Sequence, residues 1–534
     1  MEGKMGFASR CHVVTGDAAL QFGRAGRVSL HPARDRRPRP TRLPMIDDED
    51  DRAWSPILLQ RSRRRGAYWN DAARRRHVVA ILAGVTLVTL LLLVRPTRVG
   101  SPGGDDEAEM ADQRPPRFVT LPELKSLPYC GLDPLNEATL PKIPAPNRPD
   151  LEIVQVQAFI RHGARFFNQR TQCWPGQDTI SYRCELTHMS IPGTNMTDAS
   201  IPPPNRIFRK RFMKNRNDYK GNCRIGQLTV HGYHQEEVLG GLFRERYVGT
   251  LISPVLNNSE VHFRSDDVPR TVLSAESFFT GLFPPEGPDS PPPTQIVNLW
   301  TMDVDRETEV VNAHECPGVA KQYKKAQHTT TFVEHEKTFT APLRRRLSEI
   351  MRIPTNELDG KNKFDCLFIS LCRGDPVPEG VDRDLVADVE FDNRFRVYSM
   401  IQYPDRVSGS RLVIGPLLRE IHGHLQQAVL GRSVPKFSLY SGHDTGPIML
   451  LLSAFGVDDQ FPWAPFASYI SLELYRRVDS VGRPPEAHFI RIIHNGHVLR
   501  LPMADANEFI PFPQFMAFLA TMIPSPEECP DIYQ

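Results

Sequence analysis

The chain lacks a charge imbalance. Its 534 residues carry 65 Lys and Arg against 63 Asp and Glu, a formal net charge of +2. Binding of nucleic acid is driven by a basic surplus that displaces counterions, so no nucleic-acid partner is expected. No Cys-x-x-Cys pair and no Cys/His cluster at zinc spacing occurs, so neither a structural metal nor any other cofactor is expected. No internal repeat is evident, and only one apolar run is long enough to matter for a membrane. Proline, by contrast, is abundant: 48 in 534, roughly 9% against the usual ~5%, which predicts extended segments. At 40% hydrophobic and 24% charged, the chain can still bury a large core, and wholesale disorder is excluded.

The apolar run is Val78–Val94, seventeen residues without a charge. As a helix it spans about 25 Å, enough for a thin bilayer. Arg61, Arg63, Arg64, Arg65, Arg74, Arg75 and Arg76 precede it, whereas only Arg95 and Arg98 follow closely. Positive charge stays on the cytosolic side, so the expected topology is a single-pass type II anchor with everything after Val94 translocated. Residues 1–77 read as a basic, disordered cytosolic tail, 78–94 as the signal anchor and 95–119 as a flexible stem. The remainder, 120–534, is a luminal domain, and the short span suits the thinner membranes of the Golgi or another endomembrane. Met45, followed by an acidic run, would serve equally well as a start, so residues 1–44 read as an extension of the reading frame.

Cysteine usage agrees with translocation. Only Cys11 precedes the anchor; the other eight are Cys130, Cys173, Cys184, Cys223, Cys316, Cys366, Cys372 and Cys529. An even number in an oxidising compartment implies disulfides, with 105 pairings open. Two glycosylation sequons, at Asn195 and Asn257, fall on the same side.

Within the luminal part the apolar pattern alternates between strand and helix. Strands are expected at Leu151–Ile160, Val261–Arg264, Lys436–Ser441, Tyr469–Tyr475 and His488–His494. Helices are expected over Gln227–Val248, Val268–Leu282 and Ile448–Phe455. The expected fold class is α/β: a mainly parallel sheet with helices on both faces, and a smaller, mostly helical cap over about 310–430. In such folds the active site lies at the carboxyl ends of the strands.

Three strand ends carry complementary chemistry. Arg161-His162-Gly163-Ala164-Arg165 follows the first strand, with two guanidinium forks flanking an imidazole across a tight turn. Cationic neighbours disfavour the protonated ring, so His162 is expected to stay neutral and nucleophilic. Arg264 ends another strand, ahead of Ser265-Asp266-Asp267. Ser441-Gly442-His443-Asp444 ends a third, where His443 could donate to a phosphoryl oxygen and Asp444 could protonate a leaving alcohol.

Together these segments resemble the histidine acid phosphatases, a branch of the superfamily that includes the phosphoglycerate mutases. Phe159–Arg165 is similar to the family's RHGxR signature and Ser441–Thr445 to its HD signature. Arg264–Gly287 (RSDDVPRTVLSAESFFTGLFPPEG) resembles its second arginine block, and the likeness runs over roughly residues 150–500. The resemblance implies a metal-independent phosphomonoesterase with a phosphohistidine formed on His162. Arg161, Arg165, Arg264 and His443 would bind the phosphate, and Asp444 would protonate the leaving group. One departure is Phe167, where the family usually has proline, and Asn168–Asn222 looks like a variable insertion. That stretch, with its basic run Arg206–Arg216, reads either as a rim that shapes access for an acidic substrate or as a solvated loop.

Type II topology with a luminal phosphatase domain is similar to the Golgi 2-phosphoxylose phosphatases, so the expected partner is a phosphomonoester substrate, free or on a glycan. The Asp directly after His443 fits acid phosphatases better than inositol-polyphosphate phosphatases, and mutases lack the dipeptide. A non-catalytic luminal receptor of the same fold is the alternative; none of the expected site groups is missing, which argues against it.

Overall fold

A computed structural model describes residues 115–533, apart from 137–139, 170–171, 185, 187–188, 191–207, 210–217, 285–296, 359, 481–483 and 505–506. The expected anchor Val78–Val94, the tail before it, Cys11, Asn195 and most of the stem lie outside the described residues. Among those described, no helix is long and apolar enough to cross a membrane. The last residues assigned to the stem are already structured: Phe118–Val119 pairs antiparallel with Val377–Pro378.

The chain builds one central sheet. In order come β1 (Leu151–Arg161), α1 (Val230–Tyr247), β2 (Val261–Ser265), α2 (Pro269–Leu282) and β3 (Leu299–Trp300). A helical stretch follows: α3 (Gly318–Ala326), α4 (Thr330–His335), α5 (Ala341–Met351), α6 (Gly360–Arg373), α7 (Arg383–Ile401), α8 (Arg406–Val413) and α9 (Gly415–Val429). The chain then returns through β4 (Phe437–Gly442), α10 (Ile448–Phe455), β5 (Tyr469–Arg477), β6 (His488–His494), β7 (His497–Val498), β8 (Ile510–Pro511) and α11 (Phe512–Ala520). The strand order is β7-β6-β5-β1-β4-β2-β3, with β8 paired to β6.

The sheet is mixed, which corrects the expectation of a mainly parallel one. β1, β4, β2 and β3 run parallel to one another, but β5 pairs antiparallel with β1, and β6 antiparallel with β5. The reason is connectivity: only residues 478–487 separate β5 from β6, too few for a crossover helix, so the chain folds straight back.

Helices cover both faces because the strands are apolar on both. In β1, Val156, Ala158 and Ile160 pack with Leu239 and Phe243 of α1 and Phe278 of α2. Phe159, pointing the other way, joins Tyr440, Ile470 and residues of α9, α10 and α11. The helical stretch shares that second cluster through Val319, Leu343, Leu367 and Leu385. Local signals set the helix ends. Thr229 caps α1 by accepting from the N–H of Gly232 at 3.1 Å, Asp382 caps α7 through Leu385 at 2.7 Å, and α10 stops at Gly456 with φ +75°.

All eight cysteines after residue 115 pair: Cys130–Cys372, Cys173–Cys366, Cys184–Cys223 and Cys316–Cys529. Two of the four bridges fasten α6 to segments on either side of the first strand's turn.

Candidate active site

Strand register brings the three signatures together. Arg161 at the end of β1 is opposite Gly442 of β4, and Ser441 is opposite Ser265 of β2. The residues that follow, His162, His443 and Asp266, therefore emerge side by side from one edge of the sheet. The N–H of His162 also donates to the carbonyl of Gly442 at 2.9 Å, and the His162 and His443 rings meet edge-on at 5.4 Å between centroids.

His162 is buried, with Nδ1 2.8 Å from the carbonyl oxygen of Gly163. A carbonyl only accepts, so the proton sits on Nδ1 and Nε2 keeps its lone pair. Burial, and then the charges of Arg270 and Arg161, hold this imidazole well below the usual histidine range, so it is neutral. The turn after it passes so close to α1 that a Cβ on Gly163 would lie 2.2 Å from the Gly232 carbonyl oxygen; only glycine fits.

Arg161 is fully buried, its guanidinium lying over the Phe466 ring at 4.2 Å. Nη1 donates to the Ala464 carbonyl, and Nη2 donates to the Tyr129 hydroxyl at 2.9 Å and lies 3.0 Å from Asp444 Oδ2. That same carboxylate oxygen accepts from the Trp463 indole at 2.7 Å, while Oδ1 accepts from the Thr445 N–H at 2.8 Å. Burial would raise the Asp444 carboxyl, but Arg161 and the Trp463 hydrogen bond outweigh it and hold it below the usual range.

His443 Nε2 is 2.7 Å from Asp266 Oδ2, and its Nδ1 is 3.4 Å from Nη2 of Arg270. The carboxylate fixes the proton on Nε2 and leaves Nδ1 as an acceptor. Burial and Arg270 depress the His443 imidazole, with Asp266 and Asp444 opposing. Arg165 lies beside the cluster, gripped by Asp365 of α6 through contacts of 2.6 and 3.2 Å.

Arg264 does not join them. It precedes the last residue of β2 and points to the opposite face from Phe263. There Nη1 meets Glu420 at 2.6 Å, and Nη2 meets Glu307 and, at 2.8 Å, Thr308. Its Nε lies 3.6 Å from the buried Glu309. The expectation that Arg264 binds phosphate is thus corrected: its guanidinium is spent on three carboxylates. Arg270, in the first turn of α2, takes the third position at the site.

Four of the expected site groups, His162, His443, Arg161 and Asp444, gather around one point, with Arg165 at its edge. Sequence reasoning missed Arg270, although it lies inside the quoted arginine block, and Trp463, Tyr129 and Asp365, which no local pattern marks. Phe167, the departure from the family pattern, is buried among Phe166, Tyr182 and Tyr219, with ring centroids 4.6 to 5.6 Å away, so these two tyrosines of the insertion pack onto the turn. Asn257 is exposed, and its side-chain oxygen accepts from the Ser259 hydroxyl at 2.8 Å. Among the described residues no cluster of His, Cys, Asp and Glu has the makings of a metal site. Side chains of the basic run Arg206–Arg216 lie outside the described residues.

The model of the histidine phosphatase superfamily (branch 2) matches residues 152–495, well over half of the chain. The chain is a member of the histidine acid phosphatase family. It is accordingly a phosphoric monoester hydrolase. Among its relatives, "Counting factor 60" of Dictyostelium discoideum is 31% identical over 62% of this chain and 78% of its own length. Mouse "Lysophosphatidic acid phosphatase type 6" is 26% identical over 77% of this chain and 96% of its own. "Lysosomal acid phosphatase" of Xenopus laevis is 27% identical over 47% of this chain and 59% of its own. Among solved structures, a phytase of Klebsiella sp. ASR1 superposes with a TM-score of 0.48 and 14% identity, covering 72% of this chain and 96% of that one.

Proposed function

We propose that the enzyme works by double displacement through a phosphohistidine on His162. The observation that carries this is the Nδ1 contact to Gly163, which keeps the proton on Nδ1 and leaves the lone pair of a neutral, buried imidazole on Nε2. Arg161, Arg165, Arg270 and His443 surround the position a phosphoryl group would take. Nε2 attacks phosphorus, the bond to the ester oxygen breaks, and Asp444 supplies the proton that the departing alcohol needs. Water then attacks phosphorus, the P–N bond breaks, phosphate leaves, and Asp444 takes a proton back from the water. The guanidinium groups supply the charge that a metal would otherwise bring to the transition state.

The same reading places the catalytic part on the luminal side of an endomembrane, held by Val78–Val94. Four disulfides and an exposed sequon at Asn257 support an oxidising, glycosylating compartment. A phosphorylated glycan of the 2-phosphoxylose kind is the substrate proposed for it. The test is p-nitrophenyl phosphate hydrolysis by the full-length chain in detergent, over pH 4–8 and with EDTA, beside His162→Ala. EDTA-resistant turnover that disappears in the variant is expected; undiminished turnover in His162→Ala would sink the mechanism. Xylose 2-phosphate glycopeptide should then be turned over with a higher kcat/KM than p-nitrophenyl phosphate.

A further inference from the structure

Beside the phosphate position lies a cavity of about 280 Å3, near the lower end of the range for small-molecule pockets. It is lined by Lys125, Arg165, Arg183, His231, Arg373 and Phe466 among others, and no carboxylate among the described residues lines it. Two of its walls are shared with the site already described: Arg165, and Phe466, whose ring packs on the Arg161 guanidinium. A group in this cavity is thus adjacent to the phosphoryl group, within reach of the same substrate molecule.

Among the described residues the cavity's charge is unbalanced. Arg165 has Asp365, and Arg373 has Asp375 at 2.8 Å. Lys125 and Arg183 are exposed and make no ion pair with a described residue, so they add two uncompensated positive charges at the rim. Asp133 influences His231 but does not line the cavity. The frame is covalently fixed: Cys184 and Cys372 also line it, and each is disulfide-bonded next in sequence to one of these arginines. Disulfide-braced cations lining a concave space, with no acid opposite them among the described residues, make a preorganised anion receptor.

We infer that this cavity is a second anion subsite, which takes a carboxylate or sulfate carried on the same molecule as the scissile phosphate. This inference rests on the phosphatase reading above and names its substrate class: a sugar phosphomonoester with a second negative group. Such a substrate gains through ground-state binding, so the preference appears in KM. The attraction is partly solvent-exposed and weakens as salt is added.

The test compares three substrates on the full-length enzyme: glucose 1-phosphate, glucuronic acid 1-phosphate and 6-sulfated glucose 1-phosphate. The expected kcat/KM for at least one charged analogue exceeds that of glucose 1-phosphate by about tenfold, through KM, and which analogue gains separates carboxylate from sulfate. In the double variant Lys125→Gln, Arg183→Gln, that ratio should fall toward one. A ratio near one in the wild-type enzyme, or a ratio that the double variant leaves unmoved, overturns the subsite. If no substrate, p-nitrophenyl phosphate included, is turned over, the phosphatase reading itself falls. The subsite is then judged by calorimetry with glucuronic acid 1-phosphate and its sulfated counterpart: binding weakened in the double variant supports it, and equal or absent binding overturns it.

Discussion

Nη2 of Arg270 lies 3.4 Å from Nδ1 of His443, so the third guanidinium of the site comes from the first turn of a helix and not from the strand before it. Arg264, six residues earlier, is committed to Glu307, Glu309 and Glu420. The two arginines should therefore fail in different ways. Arg270→Ala should lower kcat/KM for p-nitrophenyl phosphate by roughly 10²–10³. Arg264→Met strands a buried group of carboxylates and should cost about 3–5 kcal/mol of stability. Kinetics and urea unfolding on both variants check this; a large kinetic loss in Arg264→Met with normal stability would restore Arg264 to the site.

The arginine exchange shows where a sequence stops being legible. Strand and helix positions follow from local periodicity, and β1, β2, β4, β5 and β6 all appear within a few residues of their apolar runs. The direction of a side chain at a strand end depends on which residue is last. Phe263 faces the α1 and α2 side, so Arg264 must face the other, and the turn after Ser265 hands the edge to Asp266 and Arg270. Strand direction was also hidden, because nothing in β5 or β6 distinguishes a parallel neighbour from an antiparallel one; only the short connection does. Trp463, Tyr129 and Asp365 reach the site from 19, 32 and 200 residues away from their partners, and pairing at those separations is set by tertiary packing alone. Histidine and aspartate at the RHG and HD signatures were legible because their chemistry is local to one turn each.

Trp463 donates to Asp444 and so stabilises the charged carboxylate, one of the causes that hold this acid below its usual range. A proton donor must be protonated, so activity is lost as pH rises through the Asp444 pKa in the substrate complex. Removing the indole N–H with Trp463→Phe takes away a lowering influence, raises that pKa and moves the alkaline limb of the kcat profile to higher pH. A limb that stays in place or moves to lower pH would mean that another group donates the proton.

The Cys173–Cys366 bridge closes 193 residues and sits directly after Asp365, which grips Arg165. Replacing both cysteines by alanine should cost about 2–5 kcal/mol of stability, read from the guanidinium midpoint. It should also raise KM, because α6 no longer fixes the carboxylate that orients Arg165. Lost stability with an unchanged KM would show that Asp365 is held by packing and not by the bridge.

Glu236 of α1 is fully buried, neither carboxylate oxygen has a hydrogen-bond partner among the described residues, and burial pushes its carboxyl well above the usual range, against a lowering from Arg161. The folded protein therefore holds a proton here that the unfolded chain gives up near the ordinary glutamate value. Below that value both states are protonated and the site is neutral to stability. Above it, the unfolded state gains by ionising while the folded state cannot, so stability falls as pH rises. Glu236→Gln keeps the shape and cannot ionise in either state, which abolishes this pH-dependent loss. Its Tm should exceed that of the wild type by roughly 2–4 °C at pH 7 and match it at pH 4. An equal difference at both pH values would assign the effect to packing, and a lower Tm at pH 7 would mean that Glu236 is ionised and stabilised by Arg161 in the folded enzyme.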